Sequence, residues 1–175
     1  MKTLKLSLLL LCLVISSQLS FSQGDSPRYK DLVVENPEAE EDIEVVSSYV
    51  NALVNNKMLE AENLLSEKYI GYGPGTNDSI SKQGTIKAWT ETHQVRSNEK
   101  VGFVSQTFRV LQGDLQGDWV SQWGTYSFTQ NGKHVELPYQ LTARVRDGKI
   151  NRSRIYFDNL TIAKSLGYNV IPPKE

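Results

Sequence analysis

Thiols and imidazoles are almost missing from this chain: Cys12 is the only cysteine, and His93 and His134 are the only histidines. A single cysteine cannot form an internal disulfide, so the fold must be held by burial alone. Cys12 also falls in an N-terminal apolar run, which removes cysteine nucleophiles and thiolate metal sites from consideration. The two histidines are far apart, with no H-x-x-x-H spacing and no clustered carboxylates, so no metal is expected. Excess charge of one sign is missing too. The sequence has 19 basic against 20 acidic residues, a net charge of −1, and loss of Lys2 and Lys5 with a leader would make the remainder more acidic. That balance argues against nucleic acid as a partner. The longest apolar run, Leu6 to Ile15, is about ten residues, against the roughly 20 needed to cross a bilayer. Gly71, Gly73 and Gly75 alternate with Tyr72 and Pro74 but no strand, glycine loop and helix with a following lysine surround them, so no nucleotide is expected. No cofactor is implied.

What is present begins with an export signal. Lys2 and Lys5 form a positive start, Leu6 to Ile15 an apolar centre, and Ser20-Phe21-Ser22 a small-residue exit, which predicts cleavage after Ser22. Cys12 is followed by further apolar residues rather than ending the run, unlike a lipid-attachment cysteine. The expected location is therefore outside the cytoplasm, periplasmic or secreted, with no membrane attachment after cleavage. The rest suits one domain with one core. The chain divides into a signal peptide over 1–22, a linker over 23–36, a domain over 37–167 and a tail over 168–175.

Within the domain, Asn36-Pro37 reads as an N-cap followed by proline at the first helical position, with Glu38, Glu40, Glu41 and Asp42 near the positive helix end. Ile43, Val46, Val50, Leu53 and Val54 recur at helical spacing, and Asn55-Asn56 breaks the pattern. A shorter helix follows, with Met58, Ala61, Leu64 and Leu65 on one side. Tyr69 to Tyr72 predicts a short strand, Thr76 to Ser79 a polar loop, and Ser81 to His93 a third helix with Ile86, Ala88, Trp89 and His93 available for an inner face. From Lys100 the period changes to two. Segments 100–111, 118–129, 133–146 and 149–157 predict four long strands, joined at Asn131-Gly132 and Asp147-Gly148 by turns whose central residues need positive φ. A last helix over Leu160 to Leu166 is capped by Asp158 or Asn159 and stopped by Gly167. The implied class is α+β, a curved antiparallel sheet with three N-terminal helices packed on it and a short C-terminal helix.

That element order, with the closing run Gly148-Lys149-Ile150 to Tyr156-Phe157-Asp158-Asn159-Leu160, resembles the nuclear transport factor 2-like superfamily and its SnoaL-like proteins over about residues 40 to 167. The resemblance implies a cone-shaped barrel whose sheet curls around a pocket, often in a homodimer. It does not fix a function, because the superfamily includes cyclases, isomerases, dehydratases, epoxide hydrolases and domains without activity. In the limonene-epoxide-hydrolase branch an arginine and two aspartates do the chemistry. Their positions here correspond to Gln122, Gly124 and Ile155, which cannot relay protons, so that mechanism is not expected.

The same registration turns Gln122, Tyr126, Leu137, Tyr139, Leu141, Ser153, Ile155 and Phe157 inward. Alternation agrees: on the last strand Arg152, Arg154 and Tyr156 share the opposite parity, and guanidinium groups are rarely buried unpaired. With Tyr72 and Trp89, these residues form the expected pocket for a small-molecule ligand. His93, beside Trp89, is the candidate general base; the alternative is a helix-end histidine interacting with the dipole. Tyr72, Tyr126 and Tyr139 could donate hydrogen bonds to a ligand carbonyl or simply fill the barrel. His134 takes an outward parity, and Asp158 suits a cap. Trp119 and Trp123 lie on the sheet's other face, under a helix or in a dimer contact. Three functions follow as expectations: a pocket that binds a small apolar or amphipathic molecule, a cofactor-free lyase, isomerase or cyclase, and an interaction or dimerisation domain.

Overall fold

The computed structural model describes residues 27–169 and 171; the expected signal peptide, Cys12 and Pro172-Pro173 of the expected tail lie outside them. Residues 27–31 belong to a unit of their own, where Arg28 Nε donates to Asp31 Oδ2 at 3.0 Å. One helical turn, Tyr29–Leu32, falls in the stretch read as a linker. So does strand β1, Val33–Val34.

From Leu32 on, the elements are β1, α1 (Ala39–Val54), α2 (Met58–Asn63), β2 (Leu65–Tyr72), β3 (Ser79–Ser81), α3 (Lys82–His93), β4 (Arg96–Val110), β5 (Gly117–Gln130), β6 (Lys133–Arg146), β7 (Lys149–Phe157) and α4 (Asn159–Ser165). The seven strands form one curved sheet in the order β1-β4-β5-β6-β7-β2-β3. The class is α+β, as the sequence implies. The sheet remains open between β1 and β3, and β2 runs parallel to β7 while every other neighbour is antiparallel.

The meander forms where alternation and turn chemistry agree. Asn131 and Gly132 have φ of 52° and 71°, Asp147 and Gly148 of 53° and 67°, the paired positive values that a two-residue hairpin requires. On β6, Val135, Leu137, Tyr139, Leu141, Ala143 and Val145 are all buried while their neighbours are not. Helix α1 lays Val46, Tyr49, Val50 and Leu53 onto that face, together with Val120, Phe128 and Ile150. Each fully buried aliphatic side chain contributes about 1.5–3 kcal/mol, so this stripe against the sheet is the main source of cohesion.

Several boundaries differ from the sequence reading. Regular helix begins at Ala39, and Asn36 works one turn earlier: its Oδ1 accepts from the Glu38 N–H at 3.0 Å. Asn36 Nδ2 donates to Asp42 Oδ2 at 2.7 Å and to Thr107 Oγ1 at 2.9 Å, tying the helix start to β4. Asp42 is thus buried rather than solvated near the helix end, and burial holds its carboxyl above the usual range. Leu65 opens β2 instead of closing α2, because its amide neighbourhood pairs with Ile150 of β7. Ser79–Ser81, in and just after the expected loop, pairs with β2 as β3.

Candidate ligand-binding cavity

Between α1, α3 and the concave face of β4 to β7 and β2 lies a cavity of about 270 Å3. Tyr72, Trp89, Tyr126, Leu137, Tyr139, Ser153, Ile155 and Phe157, all expected in its wall, line it. Alternation brings the last six together, since the register Tyr139↔Phe157, Leu141↔Ile155 and Ala143↔Ser153 aligns inward positions across β6 and β7. Tyr72 reaches the rim, with the guanidinium groups of Arg152 and Arg154 5.0 Å and 4.9 Å from its ring centre. Ile162 of α4 completes the wall.

Gln122 and His93 are placed differently from the sequence reading. Gln122 faces inward but is fully buried behind the cavity, where Nε2 donates to Ser47 Oγ of α1 at 3.2 Å and Ser105 Oγ of β4 at 3.1 Å. It is a strut between helix and sheet.

His93 is neither solvent-exposed nor on the wall. Its side chain is 8% exposed, and Nε2 lies 2.8 Å from the carbonyl oxygen of Leu53 in the last turn of α1. It therefore meets the carbonyl end of a helix, though of α1 rather than of its own helix. A carbonyl only accepts, so Nε2 carries a proton. Nδ1 sits 2.5 Å from Glu99 Oε1, a contact that needs a proton between the two atoms. The other oxygen of Glu99 accepts from the Tyr126 hydroxyl. His93, Glu99 and Tyr126 thus form a chain that reaches the wall only at Tyr126. Burial, reinforced by the bond to Glu99, holds the Tyr126 hydroxyl protonated far above the ordinary phenol range, with Arg96 opposing.

Arg96 and Glu99 precede the strand that the sequence reading began at Lys100; β4 starts at Arg96 and is bulged between Ser97 and Lys100, with Asn98 at a φ of 54°. The bulge lets residues three apart both face inward. Arg96 lines the cavity with its guanidinium carbon 3.9 Å from the Phe128 ring centre, while Nε donates to Gln130 Oε1 at 3.3 Å. Tyr49 and Tyr69 also line it unforeseen. Tyr49 falls three residues after Val46 on the buried helical stripe, a spacing that could have marked it. Tyr69 shares a 2.7 Å hydrogen bond with Ser153 Oγ.

Among the described residues no carboxylate, imidazole or ammonium group lines the cavity, and Arg96 is the one ionised side chain there. The Tyr139 hydroxyl on this wall is buried and without a partner. Burial alone pushes its pKa up to about 12. Elsewhere, Glu38, Asp42 and Asp118 bring carboxylate oxygens together. Asp118 is already held by Arg109, at 2.5 Å and 2.7 Å, and Asp42 by Asn36. No helix among the described residues is long and apolar enough to cross a membrane.

A curved open sheet, helices on its concave face and a cavity between them define a nuclear transport factor 2-like fold. Solved structures bear this out. An LEH-like epoxide hydrolase from Mycobacterium tuberculosis is 20% identical with a TM-score of 0.59, covering 74% of this chain and 92% of its own. IdmH, a candidate polyketide cyclase of Streptomyces antibioticus, is 19% identical with a TM-score of 0.58, covering 72% and 98%. An NTF2-like protein from Burkholderia xenovorans is 15% identical with a TM-score of 0.56, covering 73% and 96%. At these identities the similarity is one of fold. No protein-family model matches the chain, and no curated protein sequence matches it.

Proposed function

We propose that this is an exported domain that binds a small apolar or amphipathic molecule in its cavity without transforming it. The observation that carries the reading is the wall itself: apolar and aromatic, with no carboxylate or imidazole in contact with the interior among the described residues. Such walls bind by burying ligand surface and use a few polar groups for orientation. The export element rests on the leader's three regions. Native mass spectrometry of the protein purified from its host tests both parts. A mature mass beginning at Gln23 with a bound small molecule is the expected result; an uncleaved, ligand-free protein would defeat it.

A second reading, a cofactor-free lyase, isomerase or cyclase, is favoured by the chain from His93 through Glu99 to Tyr126, which could pass a proton to the wall. His93 would act through its neighbours, not as a base in contact with substrate. This reading predicts that the protein speeds α-hydrogen exchange of enolisable ketones in deuterated water, and that Glu99→Gln abolishes the effect. No acceleration with the wild-type protein would count against it.

A third reading, a homodimer through the outer sheet face, is favoured by one row. Val104, Trp123, Gln140 and Tyr156 are in register across β4 to β7, and the three apolar members are 70%, 42% and 51% exposed. Trp119, by contrast, is covered within its own chain. Sedimentation of the protein and of Trp123→Lys would separate dimer from monomer.

A further inference from the structure

Arg96 lines the cavity, partly buried, and none of the ion pairs among the described residues includes it. Glu99 is close by, since both residues bond to the Tyr126 hydroxyl. Its charge is already neutralised. His93 Nε2 holds one proton against the Leu53 carbonyl, and a second lies between Nδ1 and Glu99 Oε1. Whichever atom holds that second proton, His93 and Glu99 together carry no net charge. The Arg96 guanidinium, which stays ionised in proteins, is therefore left without a counter-charge.

Packing fixes this cation in place. Its carbon lies 3.9 Å from the ring centre of Phe128, which is fully buried, and Nε donates to Gln130 Oε1 at 3.3 Å. Nη1 reaches the Tyr126 oxygen only at 3.5 Å, and Nη2 makes no hydrogen bond among the described residues. The end of the guanidinium fork, which suits both oxygens of a carboxylate, is thus nearly unoccupied. At the rim, Arg152 and Arg154 flank Tyr72 and also have no ion pair among the described residues. The approach to the cavity favours an anion as well.

We infer that the cavity's ligand is an amphipathic anion, an apolar body bearing one carboxylate that pairs with Arg96. This inference rests on the ligand-binding reading and gives it a chemical class. The wall hydroxyls, those of Tyr49, Tyr72 and Tyr139 among them, are neutral and suit an alcohol, a carbonyl or an anion alike. Charge discriminates where they do not. Any occupant strips water from the guanidinium, and a neutral one leaves a desolvated cation with no partner, which is costly. A carboxylate restores neutrality with a single charge. A phosphate monoester, at about −1.5 to −2, would leave surplus charge in an apolar cavity.

Four naphthalene probes test the inference: 2-naphthoate, 2-naphthamide, 2-naphthalenemethanol and 2-naphthyl phosphate. Affinities are measured by calorimetry near neutral pH for the wild-type protein, Arg96→Met and Arg96→Lys, each checked for folding by thermal unfolding. The wild-type protein should prefer naphthoate to the amide, its uncharged counterpart of the same outline, by about 10- to 100-fold, the value of hydrogen bonds to a charged group. Arg96→Met should lose that preference, and Arg96→Lys, which keeps the charge but not the fork, should retain part of it. Calorimetry of the wild-type protein in buffers of different ionisation enthalpy gives a readout that needs no variant: naphthoate should bind with no proton taken up. Uptake of one proton per ligand would mean that the neutral acid binds, and would overturn the inference. So would naphthoate binding no better than the amide or alcohol, a preference that survives in Arg96→Met, or tighter binding of the phosphate; in each case the cavity reading stands. If no probe binds the wild-type protein, the cavity reading falls and the inference with it.

Discussion

The ring of Tyr139 occupies the space that a side chain at residue 124 would need. A Cβ on Gly124 would also collide with the Gly102 carbonyl oxygen of β4, so backbone as well as ring excludes it. Gly124→Ala should therefore destabilise the protein by about 1–3 kcal/mol, the usual cost of overpacking. Shortening the neighbour should not restore stability fully, since the Gly102 carbonyl cannot withdraw. Urea unfolding of Gly124→Ala, alone and with Tyr139→Ala, checks this. A neutral Gly124→Ala would mean that β4 and β5 separate more easily than their register suggests.

His93 and Glu99 satisfy each other inside the protein, with side-chain exposures of 8% and 7%. Removing one partner leaves the other buried with only its second bond, from Tyr126 to Glu99 or from His93 to the Leu53 carbonyl, a loss of up to about 3–5 kcal/mol. His93→Leu and Glu99→Met should each be severe, and the double substitution milder than their sum because it removes both polar groups together. A double-mutant cycle by chemical denaturation reads the coupling. Strict additivity would show that the contact carries no net energy.

Asp42 carries a pH signature of the opposite kind from a surface acid. Burial raises its folded-state pKa, so its contribution to stability is most favourable below the ordinary carboxylate pKa and is lost as pH rises through the higher folded value. Asp42→Asn keeps an acceptor for Asn36 and has no charge to bury. Near neutral pH it should be at least as stable as the parent, with the gap closing as pH falls below the carboxylate range. Thermal midpoints at several pH values test the sign. A variant less stable at every pH would show that the charged hydrogen bond from Asn36 outweighs desolvation.

Asp158 behaves in the other direction. Its Oδ1 accepts from the Leu160 and Thr161 N–H groups at 2.8 Å and 3.0 Å, and hydrogen bonds from Thr161 hold its carboxyl below the usual range. Its stabilisation is present above the ordinary carboxylate pKa and fades as pH falls through the lowered one. Asp158→Ala should loosen α4, and with it Ile162 at the cavity. Faster amide exchange confined to 159–165 is the expected readout; unchanged exchange there would mean that packing rather than the cap holds the helix.

Much of this was legible because the signals are local. The turns at Asn131-Gly132 and Asp147-Gly148 fix two hairpins, and a hairpin fixes register, so alternation on β6 and β7 placed Leu137, Tyr139, Ser153, Ile155 and Phe157 on the correct face before any contact was known. Alternation failed where the backbone departs from it. The strand read from Lys100 starts four residues earlier, at Arg96, and its bulge at Asn98 breaks the period just there, so Arg96 and Glu99 were missed, and with them the reason His93 is not in contact with the cavity.

The sequence by itself determined the α+β order, the sheet meander, its inward face and the Asp158 cap, because periodicity and turn residues act over a few positions. Only the tertiary structure decided which inward polar groups are free. Whether Tyr126 or Tyr139 keeps its proton for a ligand depends on partners far along the chain: Glu99 lies 27 residues from Tyr126. The Tyr139 hydroxyl stays unpaired because the chain brings no acceptor to it. Hydrogen-bond satisfaction is a property of the packed interior, and no local pattern in the sequence encodes it.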